Sequence, residues 1–595
     1  MKTFPLLVAI AASAAGLSGG IAHAAPPVET KSTPENGRTF DERAIVHVLN
    51  RLAFGPRPGD VAALRDQGVI AWIDAQLAPE TLEDRAVEAK LEPLATLRLS
   101  QSQLLNAYDA DRAFGQMRKA ETQKAGDAPV KTLNARQKAA AAEGTRNGFQ
   151  VGIGLQALGE SQTARLVRAV ESKRQLQENL VDFWSNHFNL DARKGPVRTL
   201  RIADEREVIR PHVLGKFREM LGASAKSPAM LFYLDNFRST QATEIRRPLN
   251  RKDRAAKKQV ADAEMMEAAI PKKMRGGINE NYARELMELH TLGVGGYSQK
   301  DVQEVARCFT GWSFSQQSGE FEFRPRAHDN GAKVVLGRAI PAGGGIRDGE
   351  TVLDILAQSP ATARHLARRL SQRFVADEPP PALVERAAQV FLKTGGDLKA
   401  VTRAVVTSPE FFAATSSKIK SPFEFAASAV RALGGTVAVP NPGRPRERQT
   451  LIDNGATSLG RNNARARATR TLPRELALMG QPFFAFQAPT GYPEDSRTWV
   501  SAGALVARLN FALALAGGQM SDVHSPQIRL EGQNAAARVQ NLARTLLGTP
   551  LSATTQATIE KQVAPAAGMR PVSTHGSDAQ KICALILGSP EFQRR

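Results

Sequence analysis

Residues 278–312, INENYARELMELHTLGVGGYSQKDVQEVARCFTGW, read as two helices around a glycine-rich turn, and that reading decides the fold. With Glu280 at zero and 100° per residue, Arg284, Glu288, Asn281 and Glu285 fall at roughly 40°, 80°, 100° and 140°. Tyr282, Ala283, Leu286, Met287 and Leu289 lie opposite, so the segment is amphipathic and its apolar side seeks a core. Gly293, Gly295 and Gly296 end it. Ser298 followed by Asp301 is a capping-box variant that opens the next helix, whose Val302, Val305, Phe309 and Trp312 recur at helical spacing.

The polar arc of the first helix has two readings. Glu280–Arg284 and Arg284–Glu288 are favourable i,i+4 pairs on a solvated face, each contributing about 0.2–0.5 kcal/mol. Alternatively, Glu285 and Glu288 with Asn279, Asn281 and Arg284 are the material of a hard-metal site or a substrate clamp. His290 falls near 280° by the same count, too far round to share a metal with Glu285 or Glu288, which excludes an HExxH-type site. Standing just before the glycines, it suits contact with the terminal carbonyls and the helix dipole.

The same helical grammar recurs along the chain. Residues 44–52 and 60–67 carry helical patterns, the second broken by Gly68 and resumed toward Leu77. Ser227, Ser359, Ser408, Ser421 and Ser589 each precede a proline, the signature of a capping serine with proline at the first helical position. Strand signals are scarce. The best is GEFEFRPRAHDNGAKVVLG (319–337), where Phe321/Phe323 and Val334/Leu336 alternate around the turn tripeptide Asp329-Asn330-Gly331. A mostly α, multi-helical fold with one small β-hairpin near residues 320–337 is expected.

At 595 residues the chain has room for more than one core. Residues 1–24 read as a signal peptide, with Lys2, an apolar run from Phe4 to Leu17 and a small-x-small site at Ala22-His23-Ala24. Residues 25–40 read as a linker and 41–240 as an N-terminal helical region holding a mobile insertion at 115–150. A charged insertion follows at 241–276, then a central helical region with the hairpin (277–420) and a C-terminal helical region (421–595). No later stretch reaches the roughly 18 uninterrupted apolar residues of a membrane span. The mature chain is therefore expected to be exported, periplasmic or secreted, without a span.

Formal net charge is +20, mostly arginine, and a field of that sign attracts anionic polymers, headgroups or acidic proteins. Nucleic acid is not expected as a partner of an exported protein. Cys308 and Cys583 each sit in an apolar helical pattern that suits a free, buried thiol better than a disulfide. No CxxC occurs, and the mature chain has no nucleophile elbow, phosphate loop or dinucleotide fingerprint, which argues against the common redox, acyl-transfer and nucleotide chemistries.

Individual candidates remain. In FWSNHF (183–188), His187 is a core histidine or a metal ligand, and Asn186 a ligand contact. His328 is a general base oriented by Asp329, a metal ligand, or incidental to the turn that Asp329 starts. Lys333 reads as a surface lysine able to neutralise an anion. Arg497 and Trp499 line a carbohydrate or anion site, or belong to a packed loop.

Several ordered blocks resemble those of exported bacterial proteins grouped as the domain-of-unknown-function family numbered 1800. They are NRLAFGPRPGDVAAL, RQLQENLVDFWSNHFNL, KSPAMLFYLDN, residues 278–312, HDNGAKVVLG and GYPEDSRTWVSAGALVARLNF. The resemblance covers roughly residues 41–515. It implies an α-rich exported protein, often encoded beside a sulfatase-like protein of the family numbered 1501, and it supplies no catalytic residue. Two functions are expected from the export signal, the basic balance and the candidate residues. The first is an envelope protein that binds a protein partner, such as that sulfatase-like neighbour, or an anionic ligand or polymer. The second is a hydrolase-like enzyme dependent on a divalent metal, with His187, Glu288 and His328 as ligands and His328, Asp329 and Glu285 as catalytic groups. Asn186, Asn279, Asn281, Arg284 and Lys333 would hold the ligand.

Overall fold

A computed structural model describes residues 33–35, 38–123, 142, 151–241, 277–414, 418–460, 469–563 and 578–595. The expected signal peptide, nearly all of the charged insertion at 241–276 and most of the insertion at 115–150 lie outside the described residues. Within the stretch expected as a linker, Thr33–Glu35 pairs antiparallel with Arg38–Phe40.

The architecture is mostly α-helical, with small two-stranded antiparallel sheets. Helices Glu42–Leu52, Asp60–Gln67 and Val69–Gln76 form where the pattern places them, the first capped by Asp41. Ser359, Ser408, Ser421 and Ser589 each accept a backbone N–H at a helix start. Ser227 departs from this pattern. Its hydroxyl donates instead to Asp204 Oδ1 at 2.6 Å, spending the cap to satisfy a buried carboxyl.

Two hydrophobic clusters make up the core. The first runs from Phe40 to Phe411 in sequence and contains Trp184, Phe217, Tyr282, Phe309 and Trp312. The second joins Phe54, Leu91 and Leu94 to Phe423, Phe425, Phe511, Ile582 and Phe592. Helix Ile153–Glu171 belongs to both, giving Ala157 to the first and Leu166, Val167 and Val170 to the second. It is buried almost all round, so its polar groups need internal partners. Glu160 accepts from Thr96 N (2.9 Å) and Thr96 Oγ1 (2.6 Å) and from Gln156 (2.7 Å). Helix Pro445–Ser458 crosses it so closely that a Cβ on Gly159 would lie 2.0 Å from Leu451 O, and one on Gly455 2.1 Å from Leu155 O. Backbone cannot yield there, which fixes both residues as glycine.

The strand region differs from expectation in its pairing. Trp312–Phe314 pairs with Phe321–Phe323, and Lys333–Val335 with Arg338–Ile340, making two hairpins. Asp329-Asn330-Gly331 is the connection between them. Asp329 Oδ1 accepts from Gly331 N at 2.9 Å, so the tripeptide does turn the chain, but away from the first hairpin. Cys308 and Cys583 are free and buried, and no described helix is long and apolar enough to cross a membrane.

Candidate functional site

The amphipathic helix of the opening stretch spans Glu280–Glu288, with Asn279 as its cap accepting from Tyr282 N at 3.1 Å. Asn279 Nδ2 also donates to Leu234 O (2.7 Å), so this residue is committed to architecture. The expected Glu280–Arg284–Glu288 ladder does not form. Gln299, on the next helix, donates to Glu280 (2.8 Å) and accepts from Arg284 (2.9 Å), while Glu288 accepts the Tyr297 hydroxyl. The polar arc therefore binds its two helices together. Glu285 is half-buried, its pKa raised by burial and then by Glu288, and Asn281 is exposed.

His187 closes helix Gln175–His187 and is buried, its Nε2 donating to His290 O at 3.2 Å. Its ring centroid lies 6.1 Å from that of His290 and 6.2 Å from that of His365. Burial drives all three downward, His290 to about 3 and His365 to about 4, so they pack as neutral rings. His187, Glu288 and His328 are not gathered around one point. Among the described residues no three His, Cys, Asp or Glu side chains are grouped as a metal requires.

His328 and Lys333 do meet, around a carboxylate that the sequence reading passed over. Asp348, in the first turn of helix Ile346–Ala357, receives Lys333 Nζ at 2.6 Å and faces His328 Nε2 at 3.2 Å. Lys333 is no surface lysine, since its side chain is wholly buried and its anion is internal. Asp329, expected to orient His328, turns outward to a bidentate contact with Arg307 at 2.8 and 3.1 Å. That contact lowers its pKa and removes it from His328.

An open site lies elsewhere, where helix Gln175–His187, the start of helix Pro422–Ala432 and the loop at 481–499 converge. Asn186 fixes that loop by copying a peptide group. Its Nδ2 donates to Tyr492 O and its Oδ1 accepts from Tyr492 N, both at 2.7 Å. Asn189 adds bonds to Phe486 O (3.0 Å) and Ala488 O (2.8 Å). Between loop and helices lies a cleft of about 70 Å³, lined by Arg165, Asp182, Arg373, Glu424, Glu494 and Arg595 with Phe483, Phe484, Tyr492 and Trp499. Trp499 thus lines a cleft as one sequence reading had it, while Arg497 stays outside, paired with Asp495 at 2.6 Å. A larger cavity of about 320 Å³ beside Asp453, Asp522 and His524 is lined by no lysine or arginine among the described residues.

Charge distinguishes this cleft. Arg373 Nη2 donates to Asp182 Oδ2 (3.1 Å) and lies 3.3 Å from Glu424 Oε1, its Nη1 donating to Glu494 at 3.5 Å. Arg595 Nη1 reaches Glu424 Oε1 at 2.7 Å, and Arg165 bridges Asp182 (3.5 Å) and Glu205 (2.7 Å). Burial pushes the Glu424 carboxyl up, but Arg595 and Arg373 overcome it and hold its pKa at about 2. Asp182 goes the other way, raised by burial against Arg373 and Arg165. Behind the cleft, burial lowers Arg51 to about 9, Arg508 to about 10 and Lys420 to about 7, and lowers Lys418 and Arg595 as well. Among the described residues, Arg51, Arg373, Lys418, Lys420, Arg508 and Arg595 share the carboxylates of Asp182, Asp377, Glu424 and Glu494, with Asp495 beside Lys418. Positive charge is in surplus, and Lys420 relieves part of it by titrating near neutrality.

Of this site the sequence reading had Asn186 and Trp499. Arg165, Asp182, Arg373 and Glu424 were not foreseen, because each sits in an ordinary helical pattern. Two of the blocks quoted for the family resemblance, 174–190 and 491–511, meet at the cleft. A family model described as Protein of unknown function (DUF1800) matches residues 47–594, carrying that likeness through the C-terminal region. No curated protein and no solved structure matches the chain.

Proposed function

The chain belongs to the family described as Protein of unknown function (DUF1800), and we propose for it an exported cell-envelope protein that binds the anionic head group of a larger ligand. The carrying observation is the cleft at Arg165, Arg373 and Arg595, backed by more buried cations than carboxylates. A buried cation without full compensation is costly, and an arriving anion relieves that cost. Arginine forks suit carboxylate, sulfate or phosphate oxygens. Tyr492 and Trp499 add aromatic surface to the lining, which favours a charged sugar over a bare ion. About 70 Å³ holds a head group or a few waters, so the rest of the ligand lies outside. Co-purification tests association with the sulfatase-like partner implied by the family resemblance.

Calorimetric titration of the mature chain with sulfate, phosphate, glucuronate and sulfated or uronate oligosaccharides tests the reading. Binding should weaken as salt rises, fall at least tenfold in Arg373→Lys, and take up protons near pH 7 as Lys420 is recharged. A chain that takes none of these anions at low ionic strength overturns it.

A further inference from the structure

The Lys333–Asp348–His328 cluster has no opening to solvent: the Lys333 and His328 side chains are fully buried and that of Asp348 is 1% exposed. Trp312 presses on Gly349, where a Cβ would lie 2.4 Å from the indole, and Phe323 meets His328 edge-on at 5.4 Å. Burial pushes the neighbouring Cys308 thiol up to about 12, a mark of dry surroundings. Groups sealed in this way cannot act on a substrate. They can react only with one another.

The hydrogen-bond network places a proton among them. Thr310 Oγ1 donates to Arg307 O (2.6 Å) and accepts from Asp329 N (2.8 Å), so its hydrogen is spent. His328 Nδ1 therefore carries a hydrogen and donates it to Thr310 O at 2.9 Å. Nε2 and Asp348 Oδ2, 3.2 Å apart, would face each other as two acceptors unless a further proton lay between them. Lys333 Nζ stands 2.6 Å from that same Oδ2 and also donates to Asp329 O. A nucleophilic amine, a carboxyl group and a proton carrier are thus held in contact without competing water.

We propose that Lys333 and Asp348 become joined by an isopeptide bond, with His328 carrying the proton. Lys333 Nζ passes one proton to the carboxylate and its freed lone pair adds to Asp348 Cγ, forming the Nζ–Cγ bond. His328 Nε2–H protonates the departing oxygen, the Cγ–Oδ2 bond breaks and water leaves. A second Nζ proton returns to Nε2, so ammonium plus carboxylate yields amide plus one water, with no oxidant or cofactor. Fixed proximity supplies the effective concentration, and exclusion of bulk water opposes the reverse reaction.

Intact-mass measurement and tryptic mapping of the full mature chain test this directly. The expected result is a mass lower by one water and a branched peptide joining Ala327–Arg338 to Asp348–Arg364 through Lys333 and Asp348, both absent in Lys333→Met. His328→Gln should slow appearance of the branched peptide after refolding. A chain of full mass that is cleaved after Lys333 overturns the proposal. So does a water loss that survives Lys333→Met and is opened by hydroxylamine, because that marks a succinimide at Asp348-Gly349.

Discussion

Two buried ion clusters, one sealed and one open, arrange charge in contrasting ways in this molecule. Around Asp348 one carboxylate meets one lysine and one histidine, and nothing is left for an outside group. Around Glu424 cations exceed carboxylates and the cluster opens into a cleft. The sealed groups, closed off from water, join hairpin to helix. Surplus charge beside a mouth is what the proposed anion binding rests on.

Removing the central carboxylate of the open cluster should have the largest effect. Glu424 compensates Arg595 and Arg373 and accepts from Ser421 N at 2.8 Å, so Glu424→Gln should cost about 3–5 kcal/mol by denaturant titration. A loss under about 1 kcal/mol would mean that the surplus is already screened and the contrast false. In the sealed cluster Lys333→Met strands Asp348, at a cost of about 3 kcal/mol, and adding Asp348→Leu should recover part of it because the pair then leaves together. No recovery in the double variant would mean that the cluster's energy lies in His328, not in the pair.

The smallest expected effect has the opposite sign. Lys420 has its pKa lowered from 10.5 to about 7 by burial, with Glu424 resisting. Between those two values the unfolded chain binds the extra proton, so the burial cost is full below pH 7 and fades as pH rises toward 10.5. Lys420→Met should accordingly be more stable than the wild type by about 1–2 kcal/mol at pH 6, the gap narrowing as pH rises to 10. Melting curves across that range check it, and a gap independent of pH would locate the lysine's cost in packing.

How far the sequence was legible follows the same divide. Local grammar was readable: the Ser298–Asp301 box, the break at Gly68 and the helices on either side all form, whereas the cap at Asn279 was read as ligand-holding material. Pairing across the chain was not. Glu424 serves in the cap that Ser421 opens, which hides its second duty to arginines 51 residues before it and 171 after it. Lys333 was misread because a lysine on a short strand is ordinarily solvated, and its partner Asp348 looks like any acid in a first helical turn. Asn186 signalled polarity without its target, a backbone 306 residues away.

That last separation has a consequence in time. Every wall of the cleft comes from a different part of the chain, tied by contacts such as Asn186 to Tyr492, and contacts of that span are among the last a folding chain can close. The cleft is therefore a late feature of folding, and under the proposed function its occupancy would certify that assembly of the whole molecule has finished.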